Sequence, residues 1–168
     1  EFGTLYSLQE LKDIREICNE YSLSLYVDGA RLAYALACPE NDVRLPDLAK
    51  LCDAFYIGGT KCGALFGEAV VIPEKRNFPF FPTTIKQHGA LLAKGKALGV
   101  QFDALFTDDL YLQIGKHAIE LADKIRSALW KKGIPLAVSS PTNQIFILLK
   151  KEEAERIGKA VELTHWDD

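Results

Sequence analysis

Two short apolar runs, Leu23 to Val27 and Ala54 to Ile57, each follow a segment of helical periodicity, and this alternation constrains the chain more than any other feature. Short, mostly apolar runs of this kind, with β-branched and aromatic residues, predict strands buried in a sheet and covered by helices. The helix before the first run opens at Ser7, whose hydroxyl is placed to accept from the backbone three residues on while Glu10 reaches back. Leu8, Leu11, Ile14 and Ile17 then recur at helical spacing, and the helix is expected to end near Tyr21. Pro46 to Cys52 predicts a second, short helix with proline in its first turn. A third run, Glu68 to Ile72, has strand character and is closed by Pro73. The chain up to residue 75 is therefore expected to be α/β, in the manner of a doubly wound sheet.

The cluster Phe78, Pro79, Phe80, Phe81, Pro82 reads as a packed connector, because its prolines cannot sit in a helix interior. Ile85 to about Phe106 and Leu110 to about Lys132 predict two long helices, interrupted at Thr107, Asp108 and Asp109, with Gly133 ending the second. Ile134 to Val138 and Gln144 to Leu149 read as strands around a Ser139 to Asn143 turn, and Lys151 to Leu163 as a last helix. The expected division is residues 1–105 as part of one α/β domain and 106–168 as an incomplete small α+β domain.

A chain of 168 residues, 48% hydrophobic and 26% charged, has the composition of an ordinary globular domain. Twenty Lys and Arg against 23 Asp and Glu leave a net charge of −3, which offers no basic footprint for a phosphate backbone and argues against nucleic acid as a partner. No stretch approaches the roughly 20 apolar residues that cross a bilayer, so a soluble protein without a membrane partner is expected. Cys18, Cys38, Cys52 and Cys62 form no C-x-x-C pair, which predicts free thiols in a reducing, cytoplasmic setting and no metal site. The absence of Met from the whole chain raises the expectation that the sequence derives from a longer protein.

Asp28 and Lys61 both fall just past the carboxyl ends of predicted strands, where open α/β sheets place their ligands. An acid and an amine so placed form either a buried salt bridge or a ligand site. The local sequence favours the site: Asp28, Gly29, Ala30, Arg31 delivers a carboxylate and a guanidinium together, and Gly58, Gly59, Thr60, Lys61, Cys62, Gly63 clears space around one long side chain. A P-loop is set aside, since Gly58 to Lys61 lacks the required spacing.

These motifs, together with Gly3, Thr4 and Leu5, the run Lys86 to Gly95, and Ser140 to Gln144, resemble the threonine aldolase and β-eliminating lyase group of fold-type-I pyridoxal-phosphate enzymes over nearly the whole chain. The resemblance implies the later part of the mostly parallel cofactor-binding large domain, followed by the start of the small domain. It implies Lys61 as the Schiff-base lysine and Asp28 as the partner that keeps the ring nitrogen protonated. It also implies Arg31 as the clamp on the substrate carboxylate, and Lys86 as a ligand of the cofactor phosphate across a subunit interface where relatives commonly carry arginine; Thr60 reads either as a hydroxyl donor to the same phosphate or as an ordinary small neighbour of Lys61. The implied reaction is cleavage of L-threonine or L-allo-threonine to glycine and acetaldehyde by a homodimer or homotetramer. Another fold-type-I activity, β-elimination or transamination, is the alternative, and an inactive scaffold is a third reading. None of His88, His117 and His165 is an obvious base for the β-hydroxyl.

Overall fold

The computed structural model describes residues 2–73 and 78–165. In chain order it contains α1 (Leu8–Glu20), β1 (Tyr26–Val27), α2 (Leu32–Ala37), α3 (Leu45–Leu51), β2 (Ala54–Ile57), β3 (Ala69–Val71), α4 (Phe81–Gln87), α5 (Lys96–Phe106), a 3₁₀ turn (Thr107–Asp109), α6 (Leu110–Lys131) and α7 (Lys151–Gly158). The capping box forms as the sequence predicts, with Ser7 Oγ accepting from Glu10 N–H and the Glu10 carboxylate accepting from Ser7 N–H.

Strand β1 is shorter than its apolar run, and the cause lies at the end of α1. Ser22 takes a left-handed φ of 54°, Ser22 N–H donates to the Asn19 carbonyl and Leu23 N–H to that of Cys18. This closing geometry spends Leu23 on the helix terminus. Leu25 N–H then donates to the Asp53 carboxylate at 2.6 Å, and Arg15 bridges that carboxylate and the Leu23 carbonyl. Only Tyr26 and Val27 remain to pair, in parallel, with Ala54 and Phe55.

The sheet order is β1-β2-β3, and β3 runs antiparallel to β2 with Tyr56 opposite Val70. This corrects the expectation that a doubly wound, parallel pattern runs through residue 75. A parallel return needs a crossover of a dozen or more residues, usually a helix, and the connection from Gly58 to Glu68 holds turns alone. Behind the sheet Leu11, Leu32, Val43, Leu48, Phe55 and Ile57 form the centre of the core.

Helix α2 has no polar start signal and was not expected, yet its Leu-Ala-Tyr-Ala-Leu-Ala sequence favours helix. It packs along α6, whose Tyr111, Gly115, Ile119 and Ala122 are buried at three- and four-residue spacing. A Cβ on Gly115 would meet the Ala33 carbonyl, so glycine is what permits this approach. The predicted long helix from Ile85 is two helices. Gly89, at φ +70°, donates to the Lys86 carbonyl and Ala90 to that of Ile85, which terminates α4. Gly133, at φ +68°, ends α6 by the same pattern onto Trp130 and Leu129. In the last section the two predicted strands reduce to one antiparallel bridge, Leu136 to Ile147, and α7 stops at Gly158. No helix among the described residues is long and apolar enough to cross a membrane.

Candidate active site

The carboxyl ends of β1 and β2 open onto a cleft of about 700 Å³, and Tyr26, Asp28, Arg31, Tyr56, Lys61 and Thr142 all line it. Two glycines bring the two strand ends together. Gly58 N–H donates to the Gly29 carbonyl at 2.9 Å, and a Cβ on Gly29 would lie against the Tyr56 carbonyl oxygen, as one on Gly58 would against that of Ala30. The loop bearing Asp28 and the loop bearing Lys61 are thus joined backbone to backbone.

Asp28 is held through one oxygen. Its Oδ1 accepts from Ala30 N–H at 3.0 Å and from the Tyr56 hydroxyl. The Tyr56 hydrogen bond first, the Ala30 hydrogen bond second and the nearby Lys61 charge to a smaller degree keep its carboxyl below the usual aspartate range. The same bond pushes the Tyr56 phenol up to about 12. Asp28 is therefore an exposed carboxylate that stays ionised at the mouth of the cleft.

Lys61 is exposed while its backbone is fixed from several sides. The hydroxyl of Tyr111, from α6, donates to the Gly58 carbonyl at 2.9 Å, and that of Tyr34, from α2, donates to the Lys61 carbonyl. Glu68, just before β3, accepts from Gly59 N–H and, at 2.7 Å, from the Thr60 hydroxyl. Next to Lys61, burial pushes the Cys62 thiol up to about 11, so it remains a neutral packing group.

Gly3 near one end of the chain and Thr142 near the other border the cleft. Ser140 Oγ donates to the Gly3 carbonyl at 2.9 Å, and the Arg126 guanidinium, from α6, donates to the carbonyls of Thr142 at 2.5 Å and Pro141 at 3.3 Å. Of the residues singled out from sequence, the fold brings Asp28, Arg31 and Lys61 to one cavity. It leaves Thr60 outside the lining, with its hydroxyl on Glu68, and Lys86 exposed on α4. Tyr56, Tyr34, Glu68 and Arg126 were not singled out. Tyr56 alone carried a legible signal, since it alternates with buried Phe55 and Ile57 and so faces the other side of the sheet.

Residues 1–166 match the family model described as beta-eliminating lyase. The chain belongs to that family. Among similar proteins, the low specificity L-threonine aldolase of Pseudomonas aeruginosa is 29% identical over 161 residues, covering 94% of this chain and 46% of the relative. That of Saccharomyces cerevisiae is 30% identical over 152 residues, covering 88% of this chain and 38% of the relative. The solved threonine aldolase of Leishmania major superposes with a TM-score of 0.90 at 44% identity, covering 95% of this chain and 47% of that one. The family member described here thus spans about half the length of these relatives, and its mixed α/β fold is that of the Leishmania enzyme over the shared part.

Proposed function

We propose that this chain forms part of a pyridoxal-phosphate-dependent aldolase that cleaves L-threonine or L-allo-threonine to glycine and acetaldehyde. The observation that carries the reading is the convergence of Asp28, Arg31 and Lys61 on one cleft, supported by the names of the similar proteins. The donor set suits the cofactor: an aspartate kept ionised by its own hydrogen bonds lines the same cavity as a primary amine. When bound, pyridoxal phosphate supplies an electron sink for the pair released as a bond to an amino acid's α-carbon breaks.

Each side chain has a separate task. Asp28 holds a proton at the ring nitrogen by opposite charge. Lys61 would hold the cofactor through its amine, and as a free amine could take or return a proton at the α-carbon. Arg31, half-buried at the start of α2, presents a planar fork to the substrate carboxylate. Lys86, exposed on α4, is proposed to reach the phosphate of a neighbouring subunit's cofactor in a homodimer or homotetramer, whereas the Thr60 hydroxyl is already given to Glu68 and is not assigned to the phosphate. The same reading takes residues 1–105 as part of the cofactor-binding domain and 106–168 as the beginning of the small domain, in a cytoplasmic enzyme.

The test is product analysis on the protein that carries this chain, loaded with pyridoxal phosphate and given L-threonine. Acetaldehyde and glycine in equal amounts are expected, whereas ammonia with a keto acid would move the assignment to a β-eliminating enzyme. In Arg31→Lys, which keeps the charge and loses the fork, KM for threonine is expected to rise about tenfold, the worth of roughly one charge-assisted hydrogen bond. An unchanged KM would remove Arg31 from the carboxylate site.

A further inference from the structure

We propose that Tyr56 is a positioning residue for Asp28, occupying Oδ1 and leaving Oδ2 as the oxygen that takes the cofactor's ring nitrogen; this rests on the reading of Asp28 given above. The sheet register sets up the contact. Tyr26 pairs with Ala54 and Val27 with Phe55, so the next step along β1 and β2 sets Asp28 beside Tyr56 on the face opposite buried Phe55. The Tyr26 ring lies 6.3 Å from that of Tyr56, at 32° between planes, and restrains it from the β1 side. The Tyr56 hydroxyl donates to Asp28 Oδ1, where Ala30 N–H also ends. All three residues, Tyr26, Asp28 and Tyr56, line the cleft that Lys61 lines.

This arrangement does two things to the carboxylate. It removes the rotational freedom of an exposed side chain, so that one known oxygen is presented to the cleft. It also keeps that oxygen ionised in acid where a free aspartate begins to protonate. The titratable groups facing the pair among the described residues are Lys61 from the loop after β2, Glu68 before β3 and Tyr26 on β1. Lys61 favours the ionised carboxylate as Tyr56 does, whereas Glu68 and Tyr26 act on the phenol, favouring its protonated form.

Tyr56→Phe deletes the hydroxyl and keeps the ring, so the Tyr26 contact and the fold are retained. In the cofactor-free protein, with ¹³C-labelled aspartate and Asp28 assigned by its loss in Asp28→Asn, the Asp28 midpoint is expected to rise on removing the donor. Pyridoxal phosphate is expected to bind about fivefold more weakly, and the acid pH at which it is released to move upward with the Asp28 midpoint. Reciprocally, Asp28→Asn should lower the Tyr56 phenol from about 12 toward the ordinary tyrosine value, read by ultraviolet titration. A Tyr56→Phe protein with the wild-type Asp28 midpoint and cofactor affinity within twofold overturns this role alone. A wild-type protein that takes up no pyridoxal phosphate overturns the parent reading, and this role with it.

Discussion

Replacing Gly29 by alanine is expected to cost at least about 3 kcal/mol of stability, the upper range for forcing an atom into a packed site. The added Cβ has nowhere to go. It would lie against the carbonyl oxygen of Tyr56, 2.9 Å from the carbonyl carbon and 3.4 Å from Leu32 Cβ, and two of those three neighbours are backbone of a central strand. The strand ends must separate, and with them the 2.9 Å bond from Gly58 N–H to the Gly29 carbonyl. Because that bond joins the Asp28 loop to the Lys61 loop, cofactor affinity is expected to fall together with stability. Gly99→Ala in α5 is the matched control: beyond its chain neighbours and its own helix backbone, nothing among the described residues lies within 4 Å of the added Cβ, and alanine favours helix over glycine by up to ~1 kcal/mol. Denaturant midpoints of the two variants separate the cases. A Gly29→Ala protein as stable as Gly99→Ala would contradict the close approach of β1 and β2.

Asp28→Asn is expected to lower kcat/KM for threonine about a thousandfold, which corresponds to ~4 kcal/mol of lost transition-state stabilisation. Asparagine is close in size and can still accept from Ala30 N–H and Tyr56, so folding is spared. What disappears is the negative charge, and an amide cannot hold a proton on a ring nitrogen as a carboxylate does. The pH dependence follows with its sign. The carboxyl lies below the ordinary aspartate range, so its charge is complete at neutral pH and is lost as acid carries the pH down through that depressed value. Wild-type activity that depends on Asp28 is therefore retained in mild acid, where an unassisted aspartate would begin to protonate. A loss of less than tenfold in Asp28→Asn would place the charge outside the chemistry.

The part of the candidate site that was legible, Asp28, Arg31 and Lys61 on one cleft, was so because strand ends are easy to read. Short apolar runs mark buried strands, ligands gather at their carboxyl ends, and Asp28 and Lys61 fall there. Less legible was anything decided by competition between local signals. Leu23 has strand character, but the backbone bonds that close α1 claim it first. Gly133 was read as a helix stop, and Gly89 does the same work by the same two hydrogen bonds inside a segment whose apolar spacing runs on through it. The sense of β3 depends on the connection before it rather than on the strand's own residues. The predicted hairpin after Gly133 reduces to a single bridge, with Pro135, which lacks an N–H to donate, next to it. Supporting residues of the site, Tyr34 and Arg126, come from helices remote in sequence from the loops they hold, and no spacing within either helix announces that contact.

The central claim is that Lys61 anchors pyridoxal phosphate in the cleft that Asp28 lines, and an absorbance spectrum tests it most directly. The protein that carries this chain, purified with pyridoxal phosphate, is expected to show a band at about 420 nm, as a protonated carbon–nitrogen double bond to this cofactor gives, and Lys61→Ala is expected to lack it. The same band in both proteins, or in neither, would contradict the account.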